Sequence, residues 1–261
     1  MLTTSGLNQA NRVASIGGNW KCNGTKESVA KLVDTLNQGG QKPANTEVIC
    51  APTALHLDYV QSNLRPDYQI CIQNIWTADG PGAYTGELTA TMVKDFGVNY
   101  TLVGHSERRY KVAAETNELL LAKTNAALAV GMKVIFCIGE VLDERKAGET
   151  LNVCKNHLSM LVDTLSKDAW DNIVVAYEPV WAIGTGETAS PEQAEDVHMN
   201  LREWLASKLG EDVANALRII YGGSVKPTNC DALFAKANID GFLVGGCSLK
   251  ADFLKIIEST K

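Results

Sequence analysis

Short apolar runs alternate with longer amphipathic stretches along this chain from Val13 to its end. The short runs are rich in β-branched residues, which is typical of strands buried on both faces of a parallel sheet. The longer stretches carry apolar residues at the spacing of one helical face. This alternation predicts repeated strand–helix units, in which each helix connects two parallel strands.

Eight strands are predicted from the apolar runs, at residues 13–18, 47–51, 69–73, 100–103, 133–138, 173–177, 218–221 and 241–244. Helices are predicted between them, among others at residues 27–37, 115–129, 151–165, 191–209 and 251–258. Ser190 and Pro191 suit the N-cap and the first turn of the fourth of these helices. Eight such units over about 250 residues indicate a single-domain α/β fold, the TIM (β/α)8 barrel. A doubly wound open sheet is the alternative, although it does not normally need eight units of such regularity.

The barrel is predicted to span residues 13–261, and residues 1–12 are interpreted as a loose N-terminal extension. The extension is polar, contains one arginine and no acidic residue, and lacks the apolar core of a signal peptide. A short remnant of an organelle-targeting segment is the alternative, because transit peptides share this acid-poor composition.

Composition and charge argue against some classes of binding partner for this protein. Charged residues make up 21% of the chain and the formal net charge is −6, which argues against nucleic acid as a partner. No apolar run reaches the roughly 18 residues that a membrane-spanning helix needs, so no membrane partner is expected. The seven cysteines are scattered and include no Cys-x-x-Cys pair, which indicates reduced thiols, a reducing compartment and no zinc site.

The sixth predicted strand leads into Glu178, the carboxylate around which the site is predicted. Pro179 ends the strand, since proline cannot donate a hydrogen bond to a neighbouring strand. The next segment, residues 180–183, is apolar, and Gly184 and Gly186 give the backbone after it conformational freedom. This composition predicts a lid above a cavity. For Glu178 alone, a surface acid that merely ends a strand is the alternative.

Polar side chains follow other strands at the rim where the active sites of such barrels lie. Lys21 follows the first strand and suits an anionic substrate, although an ordinary surface lysine is the common alternative. His105 follows the fourth strand, where helix N-terminal amides would keep its imidazole neutral and able to donate a hydrogen bond. A structural histidine is the alternative there. Glu107 is close enough in sequence to join a network with Lys21 and His105.

Paired glycines follow the last two strands. Gly222 and Gly223 precede Ser224 after the seventh strand, and Gly245 and Gly246 follow the eighth. Glycines let backbone N–H groups approach an oxygen-rich group closely, and a helix starting at Gly245 would direct its positive end to the same place. Two pairs at these two strands predict the phosphate site that is typical of TIM barrels.

Together these groups comprise a carboxylate base, a neutral imidazole, a lysine, a phosphate site and a lid. Such a set suits abstraction of a proton next to a carbonyl, and the predicted reaction is isomerisation of a small phosphorylated sugar. The sequence contains no metal-ligand spacing, dinucleotide fingerprint or nucleophile turn, so no metal or cofactor is expected. Another phosphate-binding barrel, such as a different sugar-phosphate isomerase or epimerase, and a non-catalytic scaffold are the alternatives.

The chain resembles the triosephosphate isomerases in seven motifs that run in order over nearly its whole length. The motifs are Gly-Gly-Asn-Trp-Lys (17–21), Gly-Ala-Tyr-Thr-Gly-Glu (82–87), Gly-His-Ser-Glu-Arg-Arg (104–109), Cys-Ile-Gly-Glu (137–140), Tyr-Glu-Pro-Val-Trp-Ala-Ile-Gly-Thr-Gly (177–186), Tyr-Gly-Gly-Ser-Val (221–225) and Gly-Phe-Leu-Val-Gly-Gly (241–246). The resemblance implies a cofactor-free, cytoplasmic homodimer of glycolysis and gluconeogenesis. Its implied reaction interconverts dihydroxyacetone phosphate and D-glyceraldehyde 3-phosphate through an enediolate.

The resemblance also implies roles for individual residues. Glu178 is the expected base and His105 the expected neutral electrophile, with Lys21 as the third catalytic group. Lys21 and Asn19 are the expected substrate-binding pair. The expected supporting residues are Glu107 and Ser106. The backbone amides expected to hold the phosphate are those of Gly184, Ser224, Gly245 and Gly246.

Two residues are expected at the dimer interface. Thr85 resembles the residue with which the third loop of the family reaches the partner subunit's site. Cys22 would lie beneath this loop, and the neighbouring Lys21 would favour its thiolate form. We therefore expect Cys22 to react with thiol reagents before the cysteines in strands, an inert buried thiol being the alternative.

Cys22 departs from the family pattern, which commonly has a larger apolar residue after the lysine of the first strand, and the chain departs from it at two further places. Residues 110–115 form a segment that is one residue longer than usual and lacks a phenylalanine, which leaves the start of the following helix open. Asn238 stands where an acid is common, so a neutral hydrogen bond to Arg202 is expected in place of an interior ion pair.

Overall fold

The computed structural model describes residues 12–183 and 189–261. Its eight strands are parallel and form one closed barrel in chain order. They are β1 (Ala14–Asn19), β2 (Thr46–Ala51), β3 (Gln69–Ile72), β4 (Tyr100–Val103), β5 (Lys133–Ile138), β6 (Ile173–Tyr177), β7 (Arg218–Tyr221) and β8 (Gly241–Val244). Ser15 of β1 pairs with Gly241 of β8, which closes the ring. The predicted TIM (β/α)8 barrel is confirmed, and the open-sheet alternative is wrong.

Helices connect the strands on the outside of the barrel. They are α1 (Lys26–Asn37), α2 (Leu57–Asn63), α3 (Ala90–Asp95), α4 (Asn117–Ala129), α5 (Leu142–Lys146), α6 (Thr150–Thr164), α7 (Pro191–Leu209), α8 (Glu211–Ala216), α9 (Cys230–Phe234) and α10 (Asp252–Glu258). Ser190 caps α7 as predicted, because its Oγ accepts the N–H of Gln193 at 3.1 Å. Within the described ranges, no helix is long and apolar enough to span a bilayer.

Apolar side chains fill both faces of the barrel wall. Along β6, Val174 and Ala176 belong to the cluster inside the barrel, whereas Val175 and Tyr177 belong to the cluster between the strands and the helices. This alternation follows from the two-residue period of a strand. Because both sets are buried, each strand requires the nearly continuous apolar run that predicts it.

The carboxyl ends of the strands meet at one rim of the barrel. Tyr177, the last residue of β6, pairs in register with Ile138 of β5 and with Tyr221 of β7. Gly18 of β1 pairs in the same way with Val244 of β8. The residues that follow these strands therefore converge above the barrel, which places the predicted groups around one opening.

A buried charge cluster lies at the start of the described chain. Arg12 Nε contacts Asp240 Oδ1 at 2.6 Å, and Arg202 Nη2 contacts Asp240 Oδ2 at 2.6 Å. Arg12 falls within the predicted loose extension, but it is anchored to the barrel because a buried guanidinium needs a compensating carboxylate. Residues 1–11 lie outside the described residues.

The hydrogen bond expected at Asn238 is present in the same cluster. Arg202 Nε donates to Asn238 Oδ1 at 3.0 Å. The expectation that this bond replaces an ion pair is wrong, because Asp240 supplies a carboxylate to the same guanidinium. The buried arginine is thus satisfied by a neutral group and a charged group together.

A π-helical turn, Arg108–Val112, precedes α4. Its wider turn accommodates the additional residue of this segment. The helix itself begins at Asn117, and Thr116 caps it with its side chain. The predicted start at residue 115 is two residues early, because the Glu115 side chain turns inward and contacts Lys123 Nζ at 2.6 Å.

Candidate active site

A cavity of about 550 Å³ lies at the carboxyl rim of the barrel. Residues from the ends of β1, β4, β6, β7 and β8 contribute to its lining. Seven of the predicted site residues line it together: Asn19, Lys21, His105, Glu178, Ser224, Gly245 and Gly246. Gly184, the remaining predicted phosphate contact, lies outside the described residues.

Glu178 is the first residue beyond β6 and is almost fully buried. Its N–H donates to the Ile138 carbonyl at 2.7 Å, which extends the pairing of β6 with β5 by one residue. Its carboxylate has two partners: Oε1 lies 2.8 Å from His105 Nε2, and Oε2 accepts the N–H of Ser106 at 3.0 Å. Residues that follow β4 therefore fix this carboxylate at the wall of the cavity.

Two glycines make room for Glu178. A Cβ atom at Gly139 would collide with the Glu178 carbonyl, and one at Gly222 would lie 2.9 Å from Glu178 Cγ. Glycine is required at Gly139 because the colliding atoms belong to the backbone, which cannot rotate aside as a side chain can. Sequence reasoning assigns Gly139 no role, and its place in the Cys-Ile-Gly-Glu motif is the only signal that marks it.

His105 is buried just beyond β4, and both of its ring nitrogens have partners. Nδ1 lies 3.2 Å from the backbone nitrogen of Glu107 and accepts its N–H, so the ring proton belongs on Nε2, which faces Glu178. Burial lowers the pKa of His105, but the Glu178 carboxylate outweighs burial and raises the pKa above its ordinary value. The neutral imidazole is therefore favoured when Glu178 turns away from the ring.

Lys21 has a left-handed backbone conformation, with a φ of 52°. This conformation is strained for a residue with a side chain, so neighbouring groups must hold it. The Lys21 N–H donates to Asn19 Oδ1 at 2.9 Å, and Gln73 Nε2 donates to the Lys21 carbonyl at 2.8 Å. Gln73 is not among the residues that the sequence predicts for the site. The signal that could have indicated Gln73 is its position at the end of the predicted third strand.

Glu107 links Lys21 to His105. The Lys21 ammonium donates to Glu107 Oε1 at 2.9 Å, and Glu107 Oε2 lies 3.6 Å from His105 Nδ1. Burial raises the pKa of Glu107, but the Lys21 ammonium outweighs burial and holds the pKa below its ordinary value. These three side chains form the network that their spacing predicts, and it holds the ammonium at the wall of the cavity.

The predicted phosphate site consists of the turns after β7 and β8. Ser224 and Gly245 are half-buried, Gly246 is exposed, and all three line the cavity. The helix expected to start at Gly245 is instead a short 3-10 helix, Gly246–Leu249. A Cβ atom at Gly246 would meet no other atom within 4 Å, so this glycine adjoins open space. An anionic group can thus approach the backbone closely here.

The described part of the predicted lid is attached at its base to Glu140. Trp181 Nε1 donates to Glu140 Oε1 at 2.9 Å, and Tyr177 Oη donates to the same oxygen at 3.1 Å. Ile183 lines the cavity, and the rest of the lid, residues 184–188 with Gly184 and Gly186, lies outside the described residues. Sequence reasoning misses Glu140, which again only the Cys-Ile-Gly-Glu motif marks.

The two residues expected at a dimer interface do not line the cavity. Thr85 lies in a segment, residues 81–87, that is exposed throughout. All seven cysteines are among the described residues; five are buried, Cys247 is half-buried and Cys22 is exposed. Within one chain, Cys22 is therefore the thiol that is most open to solvent.

The comparisons with known proteins identify triosephosphate isomerases as similar to this chain. The family model for triosephosphate isomerase matches residues 14–260. The chloroplastic triosephosphate isomerase of Secale cereale is 48% identical over 245 residues, which cover 94% of this chain and 80% of that protein. The cytosolic triosephosphate isomerase of Oryza sativa subsp. japonica is also 48% identical over 245 residues, covering 94% and 95%. That of Gracilaria gracilis, also cytosolic, is 47% identical over 247 residues, covering 93% and 97%.

Proposed function

Because this chain belongs to the triosephosphate isomerase family, we propose that it interconverts dihydroxyacetone phosphate and D-glyceraldehyde 3-phosphate in the cavity at the carboxyl rim. The observation that carries the proposal is the 2.8 Å contact between Glu178 and His105, beside Lys21 in one cavity. A carboxylate, an imidazole and an ammonium are suitable groups for moving a proton next to a polarised carbonyl.

In the proposed reaction, Glu178 takes a proton from the carbon next to the substrate carbonyl. The electron pair left behind forms a carbon–carbon double bond, and the carbonyl oxygen becomes the charged oxygen of an enediolate. His105 Nε2 and Lys21 Nζ donate hydrogen bonds to the substrate oxygens and stabilise this charge. The proton of the hydroxyl group on the first carbon moves to the charged oxygen, and this hydroxyl becomes the new carbonyl as Glu178 returns its proton to the former carbonyl carbon. The isomerisation therefore consumes no oxidant or reductant.

Glu178 must exchange partners before it can act. Its carboxylate is bound by His105 and by the Ser106 N–H, and it has to leave both to reach a substrate carbon. When it leaves, the charge that raises the His105 pKa moves away, whereas the burial that lowers this pKa remains. The imidazole is then neutral and donates through Nε2, which is the role that the resemblance implies.

The substrate phosphate is proposed to bind at the turns after β7 and β8. Backbone amides of Ser224, Gly245 and Gly246 would donate to its oxygens, together with that of Gly184 in the lid. Hydrogen bonds from N–H groups to a dianion are charge-assisted and therefore strong. A lid that closes over the site excludes water, which strengthens the same interactions.

The assembly, extent and location of the protein are also proposals. A homodimer with Cys22 and Thr85 at its interface is supported by Tyr84, an aromatic side chain that is 44% exposed next to Thr85. Residues 13–261 are proposed as the catalytic domain, preceded by the extension, residues 1–12. A cytoplasmic location agrees with the cytosolic relatives, and the chloroplastic relative keeps a targeting remnant as the alternative.

Proton NMR in D2O tests the proposed reaction. Incubation with D-glyceraldehyde 3-phosphate should give dihydroxyacetone phosphate that carries deuterium at the carbon receiving the proton, because the proton on Glu178 exchanges with solvent. Pentose phosphates, which suit the rival isomerases and epimerases, should not react. Turnover of a pentose phosphate without turnover of the triose phosphate would contradict the proposal.

A further inference from the structure

Ser248 lies behind the proposed phosphate site and is fully buried. Its Oγ donates to the Gly245 carbonyl at 2.7 Å, and its backbone N–H donates to the same carbonyl at 2.8 Å. A carbonyl oxygen has two lone pairs, so these two donors from one residue satisfy it completely. The Gly245 carbonyl is thereby fixed in direction.

The direction of this carbonyl decides where the next amide points. The Gly245 C=O and the Gly246 N–H belong to one planar trans peptide, in which they point in opposite directions. Because the carbonyl points to Ser248, the Gly246 N–H points away from Ser248, and both glycines line the cavity. The glycines alone do not set this orientation, since residues without a Cβ adopt many backbone conformations.

Close packing holds Ser248 in place. A Cβ atom at Gly18 would lie 3.0 Å from both Ser248 Cβ and Phe253 Cζ, so the serine has no free space on the side of β1. Ser248 Oγ also lies 3.4 Å from the Asn19 carbonyl. The hydroxyl is therefore positioned between the end of β1, which carries the proposed substrate-binding Asn19, and the turn after β8.

We propose that Ser248 is a positioning residue for the substrate phosphate. Its hydroxyl fixes the peptide between Gly245 and Gly246 so that the Gly246 amide faces the phosphate, and Ser248 itself does not touch the substrate. Without the hydroxyl, the carbonyl keeps only the backbone donor and the peptide can rotate. This inference rests on the proposed function, because it takes the turn after β8 to be the phosphate site.

The variant Ser248→Ala tests the proposal with three ligands. For D-glyceraldehyde 3-phosphate, kcat/KM should fall about tenfold, chiefly through a higher KM. The inhibition constant of inorganic phosphate should rise by about the same factor. Turnover of D-glyceraldehyde, which has no phosphate, should stay within about twofold of the wild type. A merely structural role would lower the turnover of both substrates together.

Ser15→Ala is the matched control, because Ser15 is equally buried on β1 and its Oγ has no hydrogen-bond partner among the described residues. It should alter none of the three measurements. Ser248→Cys serves if Ser248→Ala does not fold, since a thiol has similar volume and donates only weakly; the same selective loss is expected.

Three experimental results would overturn either the proposed role of Ser248 or the proposed function. Equal losses with and without the phosphate group overturn the proposal, because they show a structural role alone. Unchanged kinetics with the phosphorylated substrate also overturn it. Failure of the wild-type protein to turn over the triose phosphate overturns the proposed function itself, which is a different outcome from either of these.

Discussion

Glu178 is the side chain on which the proposed chemistry depends most directly. Among the described residues that line the cavity, it is the only carboxylate. The nearest other acid at the site, Glu107, is occupied by the Lys21 ammonium at 2.9 Å. A general base here therefore has no substitute, and its removal should affect the chemical step more than substrate binding.

Replacing Glu178 by glutamine should lower kcat by at least about 100-fold, because an amide cannot take up the proton. KM should stay within about tenfold, since the groups that bind the substrate are unchanged. Steady-state kinetics measure both values, with Glu27→Gln, an exposed acid on α1, as the control. A Glu178→Gln variant that keeps more than about a tenth of the wild-type kcat would remove Glu178 from the mechanism.

A second residue, His198 on α7, is expected to make the fold sensitive to acid. It is fully buried, and burial lowers its pKa from 6.5 to about 3. Between these pH values the unfolded state binds a proton that the folded state does not bind, so the free energy of unfolding should fall as pH falls. The slope from this residue is up to about 1.4 kcal/mol per pH unit.

His198→Gln should reduce the slope of the free energy of unfolding against pH by up to about 1.4 kcal/mol per pH unit, because glutamine does not titrate. Denaturant unfolding of both proteins at several pH values between 6.5 and 4 measures this slope. A general loss of stability in the variant does not affect the comparison, because only the slopes are compared. Parallel profiles for the two proteins would show that His198 does not carry the acid sensitivity.

Among the elements of the fold, the strands are predictable from the sequence because each one needs apolar side chains on both faces. Val174 and Val175 of β6 show this, since both are buried although they face opposite sides of the barrel wall. The main groups of the site are predictable for a related reason: residues after parallel strands must meet at one rim. This rule alone brings Glu178, His105 and Lys21 together.

The residues that hold the site in place are not predictable from local patterns. Gln73, Glu140 and Arg12 lie 52, 41 and 228 positions from the residues that they contact. Periodicity over a few turns contains no information about such contacts. The π-helical turn Arg108–Val112 escapes prediction for another reason, because its segment is too short to show a period of its own.

Gly139, between β5 and β6, offers a test of how closely the two elements must approach. In Gly139→Ala, the new methyl group would collide with the Glu178 backbone. The free energy of unfolding should fall by about 1–3 kcal/mol, as at other overpacked positions. The value of kcat should fall at least about tenfold, because a catalytic group displaced by about 1 Å loses its alignment.

Gly40→Ala is the control for this prediction, since a Cβ atom there meets nothing within 4 Å. Chemical denaturation and steady-state kinetics on both variants give the two quantities. Reduced stability with an unchanged kcat would mean that Gly139 serves the fold and not the position of Glu178.

The whole molecule exposes large apolar side chains, which suits a chain that buries part of its surface against a second copy. Leu55 is 92% exposed and Tyr84 is 44% exposed. Single exposed apolar residues are common on proteins, but Tyr84 adjoins Thr85, which is proposed to reach the partner subunit. Activity and assembly should therefore depend on each other.

A large thiol reagent should modify Cys22 first, because within one chain it is the only exposed thiol among the seven cysteines. In the proposed dimer the added group would overpack the interface by at least about 1–3 kcal/mol, so activity should fall as dimer converts to monomer. Peptide mass mapping, size-exclusion chromatography and activity on the same samples measure this, with Cys22→Ser as the protected control. Full modification of Cys22 in an active, intact dimer would refute the prediction.

The pairing of β1 with β8 has a consequence for folding during synthesis on the ribosome. Asn19 and Lys21 are translated well before Gly245 and Gly246, which lie at the opposite side of the β1–β8 junction in the sequence. Until β8 is translated, β1 has one edge without a partner, and an open strand edge invites pairing with other chains. Between the translation of β1 and that of β8, the nascent chain therefore has an open strand edge and an incomplete binding site. During this interval a chaperone can cover the edge, but substrate binding cannot stabilise the fold.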